Sequence, residues 1–425
     1  MKILHTADLH LGQVIYQNYD RCDEHRHFFR QLEEWCRRER PDALLLSGDV
    51  FDIQQPSAAV KRAFNDYFVH LHQCCPSMHI VIIAGNHDSA SRLQADSSLW
   101  QLAGVHVVGT PPPADSLQRP SGWQQPYIVR LATGYVVALP YMTGERRDVV
   151  QALLATVAAE NASGLPVVVM AHQAVAGLDP AGHAFDLGTL RVMDTTAFGT
   201  GYDYLALGHI HKPQTLGHQE DALRMDSVAY AAPVARYAGS ALHVSSDEAY
   251  PHTVSLVEID RHGGSVTVSQ LRIDELRHFY VLPPAGQEPF ATADEALASL
   301  RQLASHGERG YVRFRFAQRA CLPADFSQQV YALLEPYADE WRYNPKVLWE
   351  GGDAAGEQTP RPVFEVAELQ QMTDPMTFIE RTSDQYPFLD MDDVRAAFDE
   401  VRAEVLRLSE ERQYKNRRKA QTEEP

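Results

Sequence analysis

Cysteine, basic charge and long apolar runs are all scarce in this chain, and each scarcity excludes something. The five cysteines, Cys22, Cys36, Cys74, Cys75 and Cys321, are odd in number and form no C-x-x-C pair. Neither a disulfide framework nor a thiolate metal site is therefore expected. No apolar run approaches the roughly 18 residues of a membrane span; the longest, such as LPVVVMA, have the length of buried strands. The opening MKILHTADLH has one Lys and an apolar stretch far too short for the core of a signal peptide. The expectation is a cytoplasmic protein without membrane contact. Lys and Arg total 38 against 56 Asp and Glu, a net charge of −18. That balance argues against coating nucleic acid through overall charge. It leaves room for a local cationic groove, because charges beyond about 10 Å are largely screened at moderate salt. A polyanionic substrate would need bound cations, a basic patch, or a partner that supplies one.

What is present suits a large globular protein. With 425 residues, 44% hydrophobic and 22% charged, two or three domains are expected. The first ninety residues alternate strand and helix. KILHTA reads as a strand, and residues 22–40 read as a helix with Phe28, Phe29, Leu32, Trp35 and Cys36 on one face, ended by Pro41. ALLLS is a second strand and HIVIIA a third, separated by a helix over residues 57–72 with Val60, Phe64, Phe68 and Leu71 at helical spacing. Uniformly apolar strands joined by helices predict an α/β fold whose sheet is covered on both faces. After a solvated loop, PPPADSLQRPSGWQQP, come three more apolar segments, YVVALPY, LPVVVMAH and YDYLALGHIH. From residue 253 the pattern alternates in TVSLVEID and SVTVSQLRI, as in an antiparallel hairpin around RHGG. A helix over 293–304, the strand YVRFRFA and a helix from Asp325 then suggest a small α+β module. EGGDAAGEQTPRP is a linker by composition, and the end is helical. There Val394, Phe398, Val401, Val405 and Leu408 are spaced 4-3-4-3, as in a heptad seam. The expected divisions are 1–265, 266–350, a linker at 351–363, and 364–425.

Polar residues gather where the strands stop. Asp8 and His10 follow the first, Asp49 and Asp52 the second, and Asn86, His87 and Asp88 the third. His172 closes VVVMAH, and His209 and His211 follow YLALG. In open α/β sheets the loops beyond the carboxyl ends of the strands meet at one crevice. Taken singly these signals are weak, since D-x-H arises by chance and Gly-Asp after a strand is ordinary turn chemistry. As a set, Asp8, His10, Asp49, Asn86, His172, His209 and His211 offer seven N/O donors and no sulfur, more than one tetrahedral ion needs. They suit two divalent ions with one carboxylate shared, and Asp49, directly after a glycine at the mouth of a central strand, is best placed to be shared. Two ions ~3.5–4 Å apart suit in-line phosphoryl transfer, one generating hydroxide near neutral pH and both neutralising developing charge. They would also offset the acidic chain where a phosphate approaches. The donors admit Mn, Fe, Zn or Mg, and the imidazole–carboxylate mixture fits manganese well. His87, between Asn86 and the orienting carboxylate Asp88, reads as a phosphate contact that protonates the leaving oxygen. The bland alternative is a His/Asp cluster that only orders loops.

In this order, DLH, GDVFD, GNHD, AH and GHIH resemble the calcineurin-like metallophosphoesterase superfamily. HTADLHLG, GDVFD, AGNHDSASRL and YLALGHIHKPQ resemble, more narrowly, SbcD, the nuclease component of the bacterial SbcCD complex. YAGSALHVSSDEA falls where that family carries its Gly-Ser strand after the last ligand. The resemblance is specific over residues 1 to about 260 and rests on layout beyond. It implies layered sheets flanked by helices, a small capping module, and C-terminal helices. It implies a manganese-dependent nuclease of DNA replication, recombination and repair, acting 3′→5′ on double-stranded ends and endonucleolytically on hairpins and single strands. Asp8, His10, Asp49 and His211 would hold one ion, and Asp49, Asn86, His172 and His209 the other. His87 would be the catalytic histidine, and Asp52 would lie near the site. The capping module would position DNA, the C-terminal helices would dock on the coiled-coil base of the SbcC ATPase, and the nuclease would form a homodimer within a heterotetramer. Helices after the second and third motifs are the family's dimerisation elements, so the Val60, Phe64, Phe68, Leu71 stripe either serves that role or packs on its own sheet. The stripe over residues 394–408 likewise either docks on a partner or packs on its own chain. IQQPS after GDVFD, and GSA where a proline is expected after Gly-Ser, are local departures that leave every ligand in place. The KNRRK tail reads as a solvated charge run, with contact to DNA as the alternative.

Two other readings keep part of this picture. A phosphodiesterase or phosphatase acting on nucleotides or phosphoproteins would use the same site but need neither a cap nor a docking tail. A non-catalytic DNA-end scaffold would be expected to lack a ligand, and none is missing. Deleting the chain from residue 365 onward should leave manganese-dependent cleavage of single strands while abolishing co-purification with the ATPase. Retained complex formation would place the docking surface elsewhere.

Overall fold

The computed structural model describes residues 1–349 and Arg395, apart from 17–18, 114, 121, 145, 180–191, 219–223, 245–247, 249, 285, 306–308 and 319–321. The expected linker at 351–363, the C-terminal helices with the Val394 to Leu408 stripe, and Cys321 lie outside the described residues.

Four parallel strands, Lys2–Thr6, Ala43–Ser47, His79–Ile83 and Val105–Val108, lie side by side. Successive side chains of a strand point to opposite faces, so each apolar strand serves two layers. Ile3, Leu45, Val81 and Ile83 point into a core shared with a second sheet. Leu4, Leu44, Leu46, Ile80 and Ile82 point into another, filled from the helices Cys22–Glu39 and Ala58–Cys74 by Phe28, Phe29, Leu32, Phe64, Phe68 and Leu71. The second sheet has its own parallel centre, Gly134–Leu139, Val167–His172, Tyr204–Gly208 and Val234–Tyr237. Antiparallel strands Ile128–Leu131 and Gln214–Thr215 flank it, and the helix Arg147–Glu160 adds Val150, Leu153, Leu154 and Val157 to the core. The result is a two-sheet sandwich with helices outside.

Local signals account for the two helices that cover the first sheet. Cys22–Glu39 opens with Asp23 and Glu24, whose charge complements the positive end of the helix. It stops where Arg40 takes a left-handed φ of 45° and Pro41 forbids continuation. Ala58–Cys74 begins at Ser57, whose side chain accepts the Val60 N–H at 3.3 Å. Its stripe of Phe64, Phe68 and Leu71 is buried against the sheet, with Val60 packed at the margin. Of the two roles open to that stripe, packing on its own sheet is the one observed.

The first sheet reaches further along the chain than residue 265. Thr253–Ile259 pairs antiparallel with Lys2–Thr6, Ser265–Arg272 pairs with Thr253–Ile259, and Val228–Ala231 closes the edge. Alternation identifies an antiparallel strand but does not say which sheet it joins; the free edge of Lys2–Thr6 decides it. Beyond lies a small parallel sheet, His278–Leu282, Gly310–Phe316 and Trp341–Tyr343, with the helices Ala293–Ala304 and Phe326–Leu334 as connections. By contact, the described residues of Met1–Gln287, Ala293–Phe314 and Pro323–Lys346 form one compact unit, and those of Glu288–Thr292, 315–318, 322 and 347–349 belong to another. Within the first unit, buried charges tie the small sheet to the helix Cys22–Glu39. Arg277 meets Asp23 at 2.6 Å, and Glu24 accepts from Arg21 and from the Tyr311 hydroxyl. No helix among the described residues is long and apolar enough to cross a membrane.

Phe68 is 1% exposed at the centre of this packing. Phe68→Ala should lower the unfolding free energy by about 3–5 kcal/mol, read as an earlier midpoint in urea denaturation. An unchanged midpoint would mean that the helix does not depend on that contact.

Candidate metal centre

Because the central strands of each sheet run parallel, their carboxyl ends lie along one edge, and the polar residues of the sequence motifs meet there. Asp8 and His10 leave the first strand, Asp49 the second, and Asn86 and His87 the third. The second sheet brings His172, His209 and His211 from the ends of two adjacent strands. Donor atoms within 4.8 Å of one another form three overlapping groups: Asp8, His10 and His211; His10, Asp49 and His87; and Asp49, His172 and His209. Asn86 joins the last group, with its Oδ1 at 2.9 Å from His172 Nε2 and 3.0 Å from His209 Nδ1. Asp49 stands in the middle, with Oδ2 at 3.3 Å from His172 Nε2 and 3.9 Å from His10 Nε2.

The backbone is strained to achieve this. Six non-glycine residues among those described have positive φ, and four belong to the cluster: Asp8 at 52°, His10 at 47°, Asp49 at 48° and His209 at 96°. Such conformations cost about 1–3 kcal/mol each and persist where the surroundings over-determine them. Here they are held by backbone hydrogen bonds that continue the sheet past its strands. The Asp8 N–H donates to the Gly48 carbonyl at 3.0 Å, His10 N–H to Asp49 at 3.1 Å, and Leu11 N–H to Val50 at 2.9 Å. Two glycines are steric requirements. A Cβ on Gly48 would sit 2.2 Å from His172 Nδ1, and one on Gly85 would sit 2.1 Å from Asp49 Oδ1. The Gly-Asp and Gly-Asn signals in the sequence therefore mark close approach as well as turning.

Three of the imidazoles are oriented through Nδ1. The Nδ1–H of His172 donates to the Ser47 carbonyl at 2.8 Å, that of His87 to the Asp52 carbonyl at 2.8 Å, and that of His211 to Glu248 Oε1 at 2.9 Å. In the neutral ring this leaves the Nε2 lone pair for a ligand. The orientation of His87 departs from the expectation for Asp88. The Asp88 carboxylate is spent on backbone, accepting N–H from Gly85 at 2.8 Å, Phe51 at 2.9 Å and Val50 at 3.1 Å. It clamps two motif loops together, and the carbonyl of Asp52 holds His87. The Asp52 side chain stands 3.4 Å from His10 Nδ1.

The electrostatics fit a cation. Burial pushes the Asp8 carboxyl up, His172 opposing and Asp49 reinforcing. Burial acts the same way on Asp49, but the His172, His10 and His87 imidazoles outweigh it and hold this carboxyl low. Burial would lower His172, yet Asp49 and then Asp8 raise it to about 9. Carboxylates and imidazoles thus compete for protons in a largely buried space, where a divalent ion would satisfy both. The clearest mark is His10, which is 3% exposed and has neither ring nitrogen in a hydrogen bond. Carboxylates stand near both its nitrogens, Asp52 at 3.4 Å and Asp49 at 3.9 Å, without a formed hydrogen bond; a buried imidazole left so is costly, and a cation held there would give it a partner. With oxygen and nitrogen donors alone, the residues fit divalent metal ions.

Glu248 and Ser47, which hold His211 and His172, carry no signal in the sequence because neither stands at a spacing that marks a site. Asp88→Ala should cost on the order of 3 kcal/mol by orphaning three backbone donors, with Asp88→Asn intermediate. A melting curve equal to that of the unaltered protein would remove the clamp from this description.

A family model, calcineurin-like phosphoesterase, matches residues 1–213. SbcD, the nuclease component of the SbcCD complex, from Rhodobacter capsulatus is 31% identical over 335 residues, covering 72% of this chain and 76% of that protein. The Escherichia coli K12 protein of the same name is 29% identical over 287 residues, 60% of this chain and 65% of its own length, so just under two thirds of it is spanned. The DNA double-strand break repair protein Mre11 of Aeropyrum pernix is 29% identical over 50% of this chain and 49% of its own. A solved dimetal phosphatase from Danio rerio aligns over 65% of this chain and 99% of its own at 13% identity and a TM-score of 0.33, too slight a likeness to support a conclusion. Half the chain fits the family model and most of it aligns with the Rhodobacter capsulatus nuclease, so this chain belongs to the calcineurin-like phosphoesterases of the SbcD family.

Proposed function

We propose that this chain is a divalent-metal-dependent DNA nuclease that works with an SbcC-type ATPase. The observation behind this reading is the convergence of N and O donors from two sheets around Asp49. Asp8, His10, Asp49 and His211 would hold one ion and Asp49, Asn86, His172 and His209 a second, with Asp49 shared; these donors admit Mn, Fe, Zn or Mg, and manganese is the metal that the family resemblance implies. Bound there, divalent ions supply Lewis-acid stabilisation of a phosphoryl oxygen and a nucleophile available at neutral pH.

The chain's own side chains would do the rest. His87 is exposed at the mouth of the cluster, its ring centroid 4.9 Å from that of His10. With Nδ1–H fixed on the Asp52 carbonyl, its Nε2 is the atom available to a phosphodiester. Protonated there, it can donate to the leaving oxygen, a contribution typically worth about 10²–10⁴ in rate. The names of the relatives, an SbcCD nuclease and a double-strand break repair protein, support DNA as the substrate and SbcC as the partner. Action on double-stranded ends in the 3′→5′ sense and on hairpins and single strands belongs to the same reading, as does DNA positioning by the small parallel sheet. A homodimer is supported by apolar side chains left exposed at Val69, Leu99 and Leu102.

The test is an end-labelled hairpin and a small chromogenic diester, each assayed with manganese. Hairpin cleavage should predominate, and His87→Ala should lower it by about 10²–10⁴ with metal content unchanged. Turnover of the small diester alone would point to a nucleotide phosphodiesterase, and unaltered cleavage by the variant would remove His87 from the chemistry.

A further inference from the structure

We propose that Glu248 is the positioning residue of His211 and sets the affinity of one cation site without setting that of the other. This rests on the two-ion reading above and extends it to a residue outside the ligand-bearing motifs.

Glu248 is 1% exposed, and its Oε1 accepts the His211 Nδ1–H at 2.9 Å. A carboxylate in that position fixes the tautomer, locks the ring plane, and makes the opposite nitrogen a better donor. The nitrogen so prepared belongs to the group formed with Asp8 and His10. His172, in the other group, leans on a neutral acceptor, the Ser47 carbonyl. The two rings therefore donate Nδ1–H to acceptors of different charge, His211 to a buried carboxylate and His172 to a carbonyl, with the Asp8 carboxylate beyond hydrogen-bond reach of His172 Nδ1 at 3.9 Å. This asymmetry follows from where each ring's Nδ1 points.

Glu248 is itself held in place. Its Oε2 accepts the Val244 N–H at 3.1 Å and lies 3.4 Å from His252 Nε2. The neighbouring His243 carbonyl accepts from the Arg21 guanidinium, which also grips Glu24 through Nε at 3.0 Å. Glu24 receives the Tyr311 hydroxyl and lies 3.5 Å from Arg277 and 3.6 Å from Arg342. A carboxylate this constrained cannot swing away from the imidazole it supports. A buried carboxylate is expensive to keep, so its place beside a metal ligand is best explained by the hydrogen bond it accepts from that ligand.

The experiment is calorimetric titration of the full-length chain, stripped of metal by a chelator, with Mn²⁺. The unaltered protein should show two binding events. Glu248→Gln keeps an acceptor without the charge and should weaken one event about 10-fold; Glu248→Ala should weaken the same event toward about 100-fold. The other event should stay within about twofold of the unaltered protein in both variants. Melting curves of the metal-free variants report folding, and the Gln variant, nearly isosteric, keeps the test valid if the Ala variant does not fold. Two events unchanged in Glu248→Gln would overturn the assignment. Equal weakening of both events, accompanied by a lowered melting temperature, would also overturn it and leave Glu248 a purely structural group. Fewer than two events in the unaltered protein would defeat the two-ion reading first, and the assignment with it.

Discussion

The metal centre depends on two separate sheets presenting their strand ends at one level, and a buried polar relay between them fixes that level. His5, on the first strand, is fully buried between the sheets. The Tyr204 hydroxyl donates to its Nδ1 at 2.9 Å, its Nε2–H donates to Ser47 Oγ at 3.1 Å, and the Ser47 hydroxyl donates to the Ala206 carbonyl at 3.1 Å. One tautomer satisfies every member. Burial, aided by the nearby Arg236 charge, lowers His5 to about 3, so it stays neutral. Directional contacts of this kind, joined by the buried Arg236 Nε–H donating to Ser255 Oγ at 2.8 Å, specify register between the sheets, which dispersion contacts alone would leave free to slide. The carbonyl of the same Ser47 then orients His172.

Above that relay, stability is given up locally. Left-handed backbone at Asp8, His10, Asp49 and His209, glycines that no side chain could replace, and an imidazole with no hydrogen bond all sit within one cluster. The surrounding sandwich, whose strands are almost wholly buried, offsets the cost. The distribution of strain separates the site from the His/Asp pairs elsewhere. Asp203, for example, accepts from Val167 N–H, Gly263 N–H and the His262 ring with no left-handed non-glycine residue among them. Such a cluster orders loops and needs nothing more.

Much of this was legible in the sequence because strand direction and burial are written in composition. Uniformly apolar strands such as ALLLS and HIVII can only be central, central strands joined by helices run parallel, and parallel strands end on one edge. The meeting of Asp8, Asp49, Asn86, His172, His209 and His211 follows from that rule with no knowledge of side-chain geometry. What stayed hidden depends on distance and orientation. Asp88 beside His87 in sequence suggested a shared function, but adjacent residues on a turn point apart, and its carboxylate turned to the backbone. The stripe of Phe64, Phe68 and Leu71 has the same periodicity whether it faces a sheet or another chain. Thr253–Ile259 showed its alternation but not its partner. Glu248 reaches His211 across 37 residues, and no local pattern encodes that contact.

The pairing of Lys2 with Glu258 has a further outcome for how the molecule comes into being. The first sheet is interrupted by the whole of the second, so its opening strand stays open along one side until Thr253–Ile259 has been strung out. On a ribosome, that edge emerges early and is finished late. Nested, long-range pairing of this kind slows folding and prolongs the exposure of apolar edges. The three early motifs are thus made first and assembled last, and a nascent chain has no competent centre until the interleaved strand that leads into His209 has slotted beside its neighbour.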